Sequence, residues 1–231
     1  MKKVYRNEEK YIVNEAAFKI LQMKLDQIAL TDPHQKGESY RIRSLYFDDC
    51  YDSAFYENDA GVDERKKIRI RVYDNPKNLI RLEIKHKLRG KNYKEACPIS
   101  TETFYKILNK ELRFDESFPK ALRLLYLEMM TKNSEPKVIT EYERSTYIYG
   151  IGNVRITFDR NISYSNDFNR FLKKNIRLTP LLQKGMHVLE VKYDEFLPDF
   201  IGQLIETGDL SLSTFSKYYL SRLAMKGDYY I

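Results

Sequence analysis

Arg69-Ile70-Arg71-Val72-Tyr73 and Arg81-Leu82-Glu83-Ile84-Lys85-His86-Lys87 alternate ionic and apolar side chains with a period of two. That period belongs to a β-strand, whose successive side chains leave on opposite faces. One face of the first stretch carries Arg69 and Arg71, and one face of the second carries Arg81, Glu83, Lys85 and Lys87. Similar rows recur at Arg41-Ile42-Arg43, Tyr142-Glu143-Arg144, Val154-Arg155-Ile156-Thr157-Phe158-Asp159 and Leu189-Glu190-Val191-Lys192. A sheet with so many cations on one face needs a polyanion, carboxylates or bulk water against it, and the choice among these decides the function.

Outward from this hairpin, Asp74-Asn75-Pro76-Lys77-Asn78 is the turn between its two strands. The chain opens with an expected strand from Arg6 to Val13, after which Asn14 is placed to cap a helix with Phe18, Leu21, Leu25 and Ile28 at helical spacing. Tyr40 to Phe47 reads as a strand, Ser100 or Thr101 as the cap of a helix through Leu108, and Lys120 to Met130 as a second helix. Strands are expected at Val138 to Tyr149, Val154 to Asp159 and His187 to Tyr193, then a helix from Pro198 closed by Gly208 and a last one from Ser213 to Met225. The pattern predicts an α+β fold around a largely antiparallel sheet. Closing that sheet into a β-barrel would point apolar residues outward onto helices and charged ones into the lumen.

The 231 residues are 42% hydrophobic and 32% charged, and barrels of up to ~250 residues commonly form one domain, so a single domain over residues 1–231 is expected. Nineteen Tyr and twelve Phe supply a core without Trp, and the formal charge of +7 is spread along the chain, suggesting an anionic partner. Cys50 and Cys97 lack metal-type spacing and fit a reducing compartment. No secretory signal is apparent and no stretch approaches the ~20 apolar residues of a membrane span. A soluble cytoplasmic protein is therefore expected, with any membrane association coming through a partner, a membrane protein that exports or accepts its product. Nucleic acid is disfavoured, because basic residues alternate with apolar ones and the aromatic signatures of RNA-binding sheets are missing.

Eight segments in order resemble the VTC domain, the catalytic domain of vacuolar transporter chaperone polyphosphate polymerases among the triphosphate tunnel metalloenzymes. They are Arg6-Asn7-Glu8-Glu9-Lys10-Tyr11, Ile42-Arg43-Ser44-Leu45-Tyr46-Phe47-Asp48, Ile68 to Tyr73, Leu82-Glu83-Ile84-Lys85, Glu141-Tyr142-Glu143-Arg144, Val154 to Asp159, Leu189-Glu190-Val191-Lys192-Tyr193 and Phe215-Ser216-Lys217-Tyr218. The resemblance implies a CYTH-like antiparallel barrel forming a basic tunnel with helices outside. It also implies transfer of the ATP γ-phosphate to a growing polyphosphate chain with Mn²⁺ or Mg²⁺.

Arg69 and Arg71 share a face, and guanidinium forks hold phosphate oxygens at two points at every accessible pH. The alternative for such a pair is a solvated face or an ion pair with glutamates. By resemblance, Lys85 and Lys94 are phosphate ligands, Arg43 holds the triphosphate, and Arg144 and Arg155 belong to the tunnel wall. Lys10 matches the lysine closing the Glu-x-Glu-x-Lys signature of tunnel enzymes, but Arg6 replaces the first acid, which disfavours a hydrolytic triphosphatase with paired N-terminal acids on metal. Glu8 is then either metal-linked or an ion-pair partner of Arg6 or Lys10. Glu190 matches the metal-binding glutamate, the alternative being a salt bridge with Lys192. Ser216 and Lys217 open the last helix, where free N–H groups and the dipole favour anions, and Lys10 and Lys217 are the candidates for gripping the reacting end. Asn58 stands where the polymerases have a further tunnel arginine, with Arg65 nearby. Two rivals keep the fold: hydrolysis of triphosphate or short polyphosphate, and a non-catalytic polyphosphate or nucleotide sensor.

Overall fold

Asn14 sets the first boundary of the chain. Its side chain accepts from Ala17 N at 2.8 Å, ending strand β1 (Asn7–Asn14) and opening helix α1 (Glu15–Ile28), where Phe18, Leu21 and Leu25 are buried. The chain continues through β2 (Leu30–Thr31), β3 (Tyr40–Asp48), α2 (Ser53–Asp59), β4 (Arg65–Tyr73), β5 (Ile80–Leu88) and β6 (Lys91–Ile99). Ser100 then caps α3 (Thr101–Leu108), accepting from Thr103 N at 2.9 Å, and α4 (Lys120–Lys132) follows. Strands β7 (Glu135–Tyr149), β8 (Val154–Ser165), β9 (Thr179–Pro180) and β10 (Met186–Tyr193) precede α5 (Asp199–Ile205) and α6 (Lys217–Lys226). This is a computed structural model describing residues 7–74, 79–88, 91–205, 210 and 212–228. Arg6, most of the expected turn after Asp74 and the expected helix stop Gly208 lie outside the described residues.

The sheet runs β1-β10-β8-β7-β3-β4-β5-β6, with β2 on β7 and β9 on β8, and every pairing is antiparallel. Its outer face is apolar where helices cover it. Ile68, Ile70 and Val72 of β4 pack with Phe104 and Ile107 of α3 and with Leu122 and Leu125 of α4. Ile156 and Phe158 of β8 pack with Phe18 and Leu21 of α1 and with Ile201 of α5. Helices thus cover the outside and the charged rows turn inward, as the alternation requires.

The barrel is tunnel-like but not hydrogen-bonded all the way round, since no ladder joins β1 to β6 among the described residues. The edge of β1 is taken by the segment before α6: Ser213 N donates to Lys10 O at 2.8 Å, and Tyr11 bridges Leu212. That extended segment is why α6 begins at Lys217 and not at Ser213. Strand β6 escaped the sequence reading because it lacks clean alternation and contains Pro98, which an edge strand tolerates. Among the described residues no helix is long and apolar enough to cross a membrane.

Helix α2 escaped as well, because its cap comes from outside it. Asp48, at the end of β3, accepts Ala54 N at 2.9 Å and Phe55 N at 3.0 Å. The same carboxylate accepts the Tyr218 hydroxyl of α6, whose phenol is pushed well up by burial and by Asp48. Arg222 adds a 2.7 Å bond to Asp52, so β3, α2 and α6 are fastened at one buried point that fixes where Lys217 stands. Asp48→Ala should cost about 2–4 kcal/mol by stranding these donors, read as a lower urea midpoint, with Asp48→Asn milder; equal midpoints for Asp48→Ala and wild type would refute this anchor.

Candidate functional site

The inward-facing rows meet around a cavity of about 570 Å³. Register explains their convergence: β4 pairs with β5 so that Arg69 faces Glu83, Lys67 faces Lys85 and Arg65 faces Lys87. Strand β4 therefore gives Arg65, Lys67, Arg69 and Arg71 to the lining at intervals of two, and β5 gives Lys85 and Lys87. Lys10 of β1, Arg144 of β7 and Lys192 of β10 enter from the other walls, and Ser216 and Lys217 close one side at the start of α6. The carboxylates in the lining are Glu8, Glu9 and Glu190.

Two buried carboxylates behind this surface fix the arginines. Glu83 receives Arg69 Nε at 2.8 Å, with Arg71 Nη1 at 3.8 Å and Lys94 Nζ at 3.2 Å. Burial opposes ionisation of Glu83, but Arg69, Arg71 and Lys94 hold its pKa at about 2. Asp159 takes Arg144 through two bonds of 2.6 and 2.7 Å, and Lys217 at 2.6 Å. Burial again works against the charge, and Arg144 and Lys217 overcome it. Hydroxyls complete the setting, with Ser44 Oγ accepting from Arg71 Nε at 3.1 Å and Tyr46 from Arg69 Nη1 at 3.3 Å.

The opposite wall is a cluster shared among five side chains. Glu8 lies 2.6 Å from Lys10 and 3.6 Å from both Lys85 and Lys192. Glu190 lies 2.7 Å from Lys192 and 3.8 Å from Lys10. Burial would raise the Glu190 carboxyl, yet Lys192, Arg144, Lys10 and Lys217 hold it well below the usual range. Among the described residues no group of three His, Cys, Asp or Glu side chains is arranged to hold a metal ion. Glu8 and Glu190 are the hard oxygen donors that face the cavity together, and a small divalent cation there would need phosphate oxygens and water to complete its shell.

Of the residues singled out from the sequence, Lys10, Arg69, Arg71, Lys85, Arg144, Glu190, Ser216 and Lys217 line the cavity. Lys94 stands opposite Lys85 on β6 and reaches Glu83. Arg155 faces Lys192 across the ladder, but its Nη2 is bonded to Asp32 at 2.9 Å and it is not part of the lining. Arg43 is on the wrong face for the triphosphate role assigned to it. Ser44 pairs with Arg71 and Tyr46 with Arg69, so Arg43 pairs with outward Val72; it bonds Glu141 and the carbonyls of Phe171 and Lys173. Lys67 was passed over, although it lies two residues before Arg69 on the same row. It donates to Asn58, which does line the cavity, and Arg65 lines it as well while bonding Val62 O at 2.9 Å.

Removing the carboxylate behind two arginines should be costly. Glu83→Gln is expected to lower stability by about 3–5 kcal/mol at neutral pH, because Arg69 and Arg71 lose their counter-charge. Since folding depresses this carboxyl from 4.5 to about 2, its contribution is full above the unfolded value and disappears as pH falls toward 2. Urea midpoints of the two proteins should therefore converge between pH 4.5 and pH 2, and a gap that stays constant with pH would contradict the assignment.

The VTC domain family matches this chain over residues 5–226. No curated protein matches it in sequence. Among solved structures, a proposed adenylate cyclase of Bacillus halodurans is 14% identical, with a TM-score of 0.52 over 89% of this chain and 88% of its own. The PH1819 protein of Pyrococcus horikoshii OT3 is 16% identical, with a TM-score of 0.50 over 96% of this chain and 99% of its own. At those identities the likeness is one of fold. The family match spans nearly the whole chain, so the protein belongs to the VTC domain family.

Proposed function

We propose that the domain transfers the γ-phosphoryl group of ATP to the end of an inorganic polyphosphate chain. The observation that supports this reading is the convergence of cations from β1, β4, β5, β7, β10 and α6 on one cavity of about 570 Å³. A phosphate chain carries charge along its whole length and can engage such a row at successive points. Arg69, Arg71 and Arg144 are held in place by Glu83 and Asp159 before any ligand arrives, so little reorganisation is needed as charge develops on the migrating phosphoryl. Lys10, Lys85 and Lys192 share carboxylates at the opposite wall and are free to exchange them for phosphate oxygens. Lys217, fixed beside Arg144 by Asp159, would grip the reacting end. The acceptor's terminal phosphate oxygen is the nucleophile, and the protein supplies positioning and charge.

The cavity-facing carboxylates of Glu190 and Glu8 suit a hard divalent cation, which Lys10 and Lys192 would yield to. Glu190 and Glu8 would hold Mn²⁺ or Mg²⁺, which would supply neutralisation of the phosphate charge.

Purified protein given ATP with Mn²⁺ or Mg²⁺ should form acid-labile phosphate polymer, visible on a polyphosphate-stained gel. Arg71→Ala and Glu190→Ala should each reduce the yield by about a hundredfold or more. Unchanged polymer in both variants would refute the site. Orthophosphate released from tripolyphosphate without nucleotide would show a hydrolase instead, and binding without turnover a sensor.

A further inference from the structure

Lys67 is held unlike most of the cations around it. Lys10, Arg69, Lys85, Arg144, Lys192 and Lys217 each have a carboxylate oxygen within 3.6 Å. Lys67 Nζ instead donates to two neutral oxygens, the Asn58 side-chain carbonyl and Ser216 Oγ, the latter at 3.0 Å. Facing it are Arg65 and Arg69 from its own strand, Lys85 from β5, Lys10 from β1 and the Tyr218 ring of α6 at 5.8 Å. Tyr46 of β3, Lys87 of β5 and Lys217 of α6 line the same cavity. Glu8, on the wall opposite, is already divided among Lys10, Lys85 and Lys192. Burial, with Arg65, Lys85, Lys10 and Arg69 nearby, pushes the Lys67 ammonium down to about 7.

We propose that Lys67, Asn58 and Ser216 form a subsite for a singly protonated phosphate end group, with Lys67 Nζ taking its proton. A neutral amine has two N–H donors and one lone pair. Asn58 and Ser216 accept the two N–H bonds, which leaves the lone pair to receive a donor from the cavity. Phosphate end groups with a second pKa near 6 offer that donor, a P–OH, close to neutrality. The O–H bond breaks and an N–H bond forms; the end group gains one negative charge and Lys67 one positive charge beside it. No electrons are exchanged with a third party, and an end group already fully ionised leaves Lys67 to draw its proton from solvent. The freshly deprotonated oxygen is the stronger nucleophile, so this subsite deepens the transfer reading above and rests on it. Arginine at position 67 would stay charged throughout and could not take the proton.

Inorganic tripolyphosphate is the probe, titrated into the full chain at pH 8 by calorimetry in buffers of different ionisation enthalpy. Wild type should take up about one proton more per bound ligand than Lys67→Arg, and its affinity should fall about tenfold more per pH unit above 7.5. Asn58→Asp puts a carboxylate beside Lys67, keeps the amine charged in the empty cavity and should abolish the extra uptake. Carbon-13 labelling of lysine Cε should show Lys67 titrating near neutrality in the free protein. Equal proton stoichiometry in wild type and Lys67→Arg, or a free Lys67 titrating above 10, would overturn the subsite and leave the phosphate reading intact. No heat with tripolyphosphate in any variant would overturn both.

Discussion

Like charges crowded on one concave face must be compensated, and the whole architecture answers to that demand. Four inward positions of β4 are cationic, and β5 faces them with Lys85 and Lys87 but also with Glu83. That one buried glutamate, with Asp159 across the cavity, takes up the charge of the largely buried arginines. Their removal would leave guanidinium groups unpaired in a partly dehydrated space, which is far costlier than losing a surface ion pair. The remaining cations compete for Glu8 and Glu190, and these shared contacts are the ones an entering anion can replace without breaking the wall.

The position of α6 follows from a third buried carboxylate. Asp48 caps α2 and accepts the Tyr218 hydroxyl, so the residue before Tyr218, Lys217, arrives at Asp159 with its ammonium already aimed. The segment ahead of it lies along the edge of β1 and brings Ser216 to Lys67. One stretch of chain thereby occupies a strand edge, forms a cavity wall and supplies a helix cap. Among the described residues no ladder joins β1 to β6, and Leu212 and Ser213 lie on the β1 edge at Lys10 and Tyr11.

Alternation was readable wherever both faces of a strand made opposite demands. The β4–β5 hairpin and β10 have an apolar row for the helices and an ionic row for the cavity, and the period of two exposes both. Strand β6 was not readable, because an edge strand with Pro98 gives only a weak pattern. Helix α2 was not readable either, because its cap belongs to a residue of β3. Arg43 shows the opposite failure. Its Arg-x-Arg spacing on β3 resembles that of Arg69 and Arg71, yet parity alone does not say which face is inward until the partner strand is known. Pairing with Val72 sends it outward to Glu141.

By itself the sequence determined the kind of fold, the existence of an ionic face and most of its members, because side-chain periodicity is a local property of the backbone. It also carried the family in its ordered motifs. Tertiary structure decided which ionic rows share a cavity, which carboxylate each cation meets, and that Lys67 meets none among the described residues. Those outcomes depend on strand register and on distances between segments far apart in the chain, and no local pattern encodes them.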